Sequence, residues 1–243
     1  MFVDQYYQNI TGILETIYTE ESVNIKSVGK VIAEVFKNDQ LLHVFGCGHS
    51  HMLEEELFYR AGGMALVNPI FETSTMLHEG AVKSSQIERM SGYAHLVLER
   101  YSISPGDAIL IASTSGINSF PIEMAQSAKE FGATVIGITS FYYLERPSRQ
   151  ADGLHLKDVC DYVINNHVPV GDASVEVRSD GTKSGPLSSI ATLFIANSLM
   201  LAASDQLNEW NIEPKIYQSG NCPGGDQYNA RLISQLRTRI KHL

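Results

Sequence analysis

The residues of this 243-residue chain that could do chemistry gather in two short loops. One is Ser113-Thr114-Ser115-Gly116, which runs on through Asn118 to Ser119. Ser119 has the side chain of an N-cap, and Pro121 stands in the first turn of the helix expected to follow. Gly116 lets the backbone turn tightly, and a helix start offers free N–H groups with a partial positive charge. Hydroxyls beside that pole make a cradle for a phosphate without a lysine. A plain serine-rich connection whose hydroxyls cap the helix has the same pattern, and the apolar strand before it shifts the balance toward a ligand site.

The other loop is Gly46-Cys47-Gly48-His49-Ser50-His51. It is not a dinucleotide fingerprint, because His51 stands where the third glycine should be, and it is not a P-loop, because no Gly-Lys-Ser/Thr follows. What fits is a second ligand loop, with Gly48 allowing close backbone approach and Ser50 as N-cap and donor. Glu54, Glu55 and Glu56 follow within one to two helical turns. A glutamate lifted by burial, or a histidine, can move a proton near neutral pH. The candidates for that work are Glu55 and Glu56, ahead of Glu54, with His49 and His51 on the loop itself. The competing account is an acidic first turn favoured by the helix dipole, with Glu56 and Arg60 as an i,i+4 pair. His49, His51 and Glu55 also have metal-ligand types, but two histidines without a clear third ligand define no site, so neither metal nor cofactor is expected. Cys47 reads as a small buried residue at a strand end. His78 lies in a long polar connection, 68–92, that either covers the site or is an ordinary exposed loop.

These loops need strands and helices to hold them. Leu41 to Phe45, Ala108 to Ala112 and Thr134 to Thr139 are apolar runs, and Tyr162-Val163-Ile164 is a shorter one. Helical patterns alternate with them, from Ser50 to Ala61 and from Phe120 to Phe131. Runs so apolar, alternating with helices, predict an α/β fold whose parallel sheet is buried on both faces. In such sheets ligands bind beyond the carboxyl ends of the strands, where both loops fall. Before this unit, 1–38 reads as helical, and 186–203 is apolar nearly all round, as a central or interface helix is. The polar segment 144–158 reads as a surface excursion. Ser219 to Asp226 is a turn-rich loop before a last helix over roughly 227–241. That loop either reaches a neighbouring subunit or merely turns the chain. One domain over 1–243 is the simplest division.

Composition bounds the partners. The formal charge of -9, from 18 basic and 27 acidic residues, disfavours nucleic acid and anionic membranes. Three cysteines without finger spacing argue against a disulfide framework. The start, MFVDQYYQNI, lacks the basic-then-apolar pattern of a signal peptide, and Ile190 to Ala203 is too short and interrupted to span a bilayer. A cytoplasmic protein is expected.

Taken in order, VFGCGHS (44–50), IASTSG (111–116) and VIGITS (135–140) resemble the SIS (sugar isomerase) family across about residues 35–205. The likeness is to single-domain, phosphoheptose-isomerase-like members. It implies a three-layer αβα sandwich with a flavodoxin-like sheet, a sugar-phosphate ligand, and assembly into dimers or tetramers with sites near the subunit interface. Ser113, Ser115 and Gly116 match the family's phosphate loop with Thr114 between them, and Ser50 matches the serine of the first loop. Asn118 falls where many members have Ser or Thr. The isomerases' catalytic pair transfers less well. An ungapped alignment puts Arg60 at their glutamate, Glu56 matches only if one helical turn is deleted, and 186–203 holds no histidine. The implied function is an aldose–ketose sugar-phosphate isomerase. A non-catalytic phosphosugar-sensing module, or etherase or deaminase chemistry on an amino-sugar phosphate, would use the same cradle.

Overall fold

A computed structural model describes residues 1–243. The chain opens on one helix, α1 (Phe2–Lys37). No glycine or proline interrupts 13–28, so the apolar positions share one helix, which buries Ile13, Ile17, Ile25, Val28, Ile32 and Val35. The chain then turns at Asp39, which has a positive φ of 57°, into β1 (Leu42–Gly46).

Four more strands follow: β2 (Val67–Pro69), β3 (Ala108–Ala112), β4 (Thr134–Thr139) and β5 (Tyr162–Asn165). All pair in parallel, in the order β2-β1-β3-β4-β5, the flavodoxin-like arrangement. Both faces are buried, as the apolar runs require. On one side Val44, Leu110, Ile136 and Ile164 pack with α1 and with α7 (Ser188–Glu209). On the other, Phe45, Ile109, Ile111 and Val135 pack with α5 (Ser119–Glu130), through Phe120, Ile122 and Ala125. The result is the three-layer αβα sandwich. At the amino edge Asp107 pins the start of β1 to β3, accepting from the Leu41 and Ser104 N–H groups at 2.9 Å each, with His43 Nε2 at 3.3 Å.

Several elements depart from the sequence reading. The helix expected over Ser50 to Ala61 is a 3-10 turn, Gly48–His51, and then a short α2 (Met52–Leu57). It stops early because the chain turns back toward β2: Tyr59 has φ 43°, and the Gly62 and Ala65 N–H groups bond to the Tyr217 and Lys215 carbonyls. The polar connection 68–92 contains α3 (Ala81–Ile87), and α4 (Ala94–Leu98) lies just beyond it. Segment 144–158 is not a free excursion, since the Arg149 and Leu156 N–H groups bond at 2.8 Å to the Ile117 and Gly116 carbonyls. It leads into a short α6 (Leu156–Val159). A hairpin of β6 (Ala173–Glu176) and β7 (Lys183–Pro186) was not foreseen; its strands are polar, and only the Asp180-Gly181 turn between them signals it. The last helix is α8 (Gly225–Leu236), starting two residues before the expected point.

At 22 residues, α7 is by length and composition long and apolar enough to cross a membrane, contrary to the shorter span read from sequence. Its Ala191, Ile195, Leu199 and Ala203 are instead fully buried within the protein. Leu201 (67% exposed) on this helix and Tyr18 (64%) on α1 face outward. The two helices pack tightly at Gly29, where a Cβ would lie 2.4 Å from Ala202 Cβ. Gly29→Ala should therefore destabilise the fold by about 1–3 kcal/mol through overpacking. Gly12, on the same helix, has open space around it. Gly12→Ala should stabilise by roughly 0.5–1 kcal/mol through helix propensity. Urea unfolding of the two variants checks this, and shifts of the same sign would refute the packing at Gly29.

Candidate functional site

The register of β1 on β3, Gly46 opposite Ala112, brings the two loops out side by side at the carboxyl edge of the sheet. Gly46 is required there, because a Cβ would lie 2.4 Å from the Ser50 carbonyl oxygen. Gly48 takes φ +56°, and the Ser50 N–H closes the turn on the Cys47 carbonyl at 2.9 Å. The Ser50 side chain caps no helix, because the 3-10 turn places it inside the turn instead of at the start of α2. His49 is exposed and, with Ser50, faces Ser188, Ser189 and Thr192 of α7 across a small recess.

The three glutamates diverge. Glu54 is fully buried, and one of its carboxylate oxygens accepts the Gly46 N–H at 2.7 Å while the other has no partner. Burial pushes its carboxyl well above the ordinary 4.5, against the Gly46 hydrogen bond, and the charge of Glu55 adds to the rise. Glu54 thus holds the back of the loop from within the core, out of reach of a ligand. Glu56 is half-buried and accepts from Asn197 Nδ2 of α7 at 2.8 Å and from Arg60, the i,i+4 pair read from sequence. Glu55 is exposed and free of any hydrogen bond or ion pair within the chain. Its carboxylate meets His51 and His78, the ligand atoms of the three lying within 4.8 Å of one another. The His51 and His78 rings pack edge to face at 5.1 Å, and His51 Nδ1 is hydrogen-bonded to the Gly48 carbonyl. Cys47 is buried, and burial with the nearby Glu88 and Glu54 charges pushes its thiol far up, so it is no nucleophile.

In the second loop, Gly116 takes φ +61° with Thr139 Oγ1 2.6 Å from where a Cβ would stand. Most side chains there already have partners. Ser113 Oγ accepts from the Gly116 N–H at 3.3 Å, Thr114 Oγ1 from Asn166 Nδ2 at 3.0 Å, and Ser119 Oγ donates to the Arg149 carbonyl at 3.2 Å. Asn118, one residue before the N-cap expected from sequence, is the cap position of α5, but its side chain spans from Glu88 (2.7 Å) to the Arg149 guanidinium. The half-buried Ser115 hydroxyl has no partner in the chain. Neither do the backbone N–H groups of Thr114, Ser115, Ile117, Asn118 and Ser119.

Sequence reasoning missed Arg149, Glu88 and Asn166, which meet this loop only through long-range folding. Burial raises the Glu88 carboxyl, opposed by the Asn118 hydrogen bond and by Arg89 and Arg149. The tail loop lies elsewhere: Ser219, Gly220, Asn221 and Asp226 form a polar recess with Tyr59, Arg60 and Asn229.

The buried Glu54 makes a pH prediction. Its folded-state pKa is raised, so its share of stability is complete below pH 4.5 and declines as pH rises from there toward the folded value. Glu54→Gln should remove that decline, and urea unfolding between pH 4 and 8 should show the variant gaining on the parent as pH rises. A difference independent of pH would mean that Glu54 is ionised in the fold.

Comparison with known proteins accords with this geometry. The SIS domain model matches residues 5–140. A UPF0309 protein of Geobacillus kaustophilus is 41% identical over 239 residues, covering 98% of this chain and 95% of the relative. Among solved structures, the phosphoheptose isomerase of Neisseria gonorrhoeae is similar at a TM-score of 0.52 and 16% identity, covering 86% of this chain and 96% of that one. The NanR protein of Vibrio vulnificus, complexed with ManNAc-6P, is similar at a TM-score of 0.51 and 14% identity, covering 97% and 70%. The last two likenesses concern the fold. With the family match spanning more than half its length, and a relative aligned nearly end to end, the chain belongs to the SIS domain family and to its UPF0309 proteins.

Proposed function

We propose that this protein binds a sugar phosphate across the carboxyl ends of β1 and β3 and isomerises it between aldose and ketose. The observation that carries the reading is the set of five backbone N–H groups, at Thr114, Ser115, Ile117, Asn118 and Ser119, that have no acceptor in the chain at the start of α5. A phosphate satisfies such groups and favours the positive pole of the helix. Gly116 shapes that turn, Ser115 adds a free hydroxyl, and Arg149, held beside Asn118, supplies the cation the loop itself lacks. Ser113 and Thr114 shape the cradle through their bonds to the Gly116 N–H and to Asn166.

The sugar would then extend toward Gly48 and Ser50 of the neighbouring loop. Isomerisation needs a base to take the proton from the carbon beside the carbonyl and return it to the neighbouring carbon of the enediol. Glu55 leads for this role because its carboxylate is free, whereas Glu56 is tied to Asn197 and Arg60. His49, exposed on the first loop, would exchange the proton of the oxygen atoms, with His51 as the other candidate. A phosphoheptose isomerase and a protein complexed with ManNAc-6P among the proteins of like fold support the ligand class. The rival is a phosphosugar-binding module without catalysis, favoured by the absence of any histidine on α7 and by Arg60 at the isomerases' glutamate position.

The chain is, in this reading, a cytoplasmic homo-oligomer, a dimer joined through the outward α1–α7 face around Tyr18 and Leu201, with no nucleic-acid or membrane partner. A monomer by light scattering at micromolar concentration would remove the dimer.

Calorimetry across a phosphosugar panel tests the binding. A hexose, pentose or heptose phosphate should bind far more tightly than its free sugar, and Ser115→Asp should abolish binding by setting a carboxylate against the phosphate. Arg149→Gln should weaken it about tenfold, as loss of an exposed charge-assisted contact does. Equal affinity for sugar and sugar phosphate would end the reading. Deuterium uptake beside the carbonyl, slowed about a hundredfold or more in Glu55→Gln, separates the isomerase from the binding module.

A further inference from the structure

We infer that His51, Glu55 and His78 form a binding site for one divalent transition-metal ion of the zinc type. The three come from separate pieces of chain. His51 closes the 3-10 turn after β1, Glu55 sits one turn on in α2, and His78 arrives on the connection beyond β2. The i,i+4 spacing puts the first two on one face, and β2, paired to β1, delivers the third beside them. Their ligand atoms lie within 4.8 Å of one another. Ligands of one tetrahedral zinc ion stand roughly 3.4 Å apart, given bond lengths of about 2.0–2.2 Å. The remaining gap closes by rotating the exposed Glu55 and His78 side chains.

Two further features distinguish this group from a chance surface cluster. The first is orientation. His51 is buried, with Nδ1 donating to the Gly48 carbonyl, which leaves the lone pair on Nε2. A backbone acceptor on the far ring nitrogen is the usual support of a metal-bound histidine. The second is that no other partner claims these ligands. Neither Glu55 nor His78 makes a hydrogen bond or ion pair within the chain, whereas the adjacent Glu56 and Glu79 are each paired, to Arg60 and Lys83. Without an ion, an unpaired carboxylate and two histidines simply crowd together.

Two imidazoles and one carboxylate are the donor set of zinc sites that keep a fourth position open for water or a substrate oxygen. From sequence, His49 and His51 with Glu55 lack a clear third ligand and no metal is expected; the fold groups His51 and Glu55 with His78 instead, leaving His49 out. The site shares Glu55 and His51 with the isomerase reading and would engage the carboxylate proposed there as base, but it is tested by ion binding alone, whether or not the chain turns over a sugar.

Chelator-treated protein titrated with zinc in calorimetry, and with cobalt(II) followed by its visible absorption, tests the site without any sugar present. One ion should bind per chain, with cobalt giving the intense bands of a four-coordinate site. His78→Ala and Glu55→Gln, both at exposed positions, should each weaken binding by at least about a hundredfold. His95→Ala removes a histidine from another surface group, near Glu99 and Glu130, and should leave binding intact. Failure to bind one ion, or binding that persists in both His78→Ala and Glu55→Gln, would overturn the site.

Discussion

The parallel pairing of β1 with β3 sets Gly46 against Ala112, so that both strands end at the same level and release their loops into one space. Asp107 fixes that level from the far edge by accepting N–H groups from the residues leading into β1 and β3. A slip of one residue would exchange the two faces of a strand and take Ile109 and Ile111 out of their core. Everything placed at the carboxyl edge inherits its position from this register. The first loop then folds under its own restraint, with Gly46 pressed against Ser50 and tied to the buried Glu54.

The proposed site would divide its labour between backbone and side chain. In the second loop the hydroxyls mostly bond inward and shape the turn, so the free groups facing a ligand are N–H donors and Ser115. An anion held by N–H groups suits a protein with a net charge of -9, because the donors are local and neutral. Arg149 brings one cation, and the half-buried Glu88 stands across Asn118 from it. On the first loop the labour would be reversed: Glu55 and His49 are exposed side chains on the side where the proposed sugar would extend. The proposed metal would lie on that side, away from the phosphate pole.

Much of this was legible in the residues. β1, β3 and β4 are sandwiched between helical layers, so they read as unbroken apolar runs, and the order of their loops carried the family resemblance. α7 buries Ala191, Ile195, Leu199 and Ala203 in the core it shares with α1 and the sheet, while Leu201 on its other side is exposed, so packing within the chain explains only part of its all-round apolar pattern. Gly116 and the serines of the second loop stand out in the sequence because they lie where a buried strand must turn into a helix. The residues that escaped notice depend on distant backbone contacts. Arg149 reaches Asn118 only because 144–158 folds back on Ile117 and Gly116, and no local pattern announces that. Which of Glu54, Glu55 and Glu56 is buried could not be read from α2, because six residues are too few to show a phase. The β6–β7 hairpin buries little besides Val175, so it left no alternating pattern.

The central claim is that phosphate is held by backbone N–H groups at the start of α5. Amide chemical-shift mapping of nitrogen-15-labelled protein reads those groups directly. Titration with a sugar phosphate that binds should move the Thr114, Ser115, Ile117, Asn118 and Ser119 amides most, and the matching free sugar should leave them in place. Largest shifts in the recess formed by Arg60, Asn221 and Asn229, or equal shifts with and without the phosphate, would contradict the account.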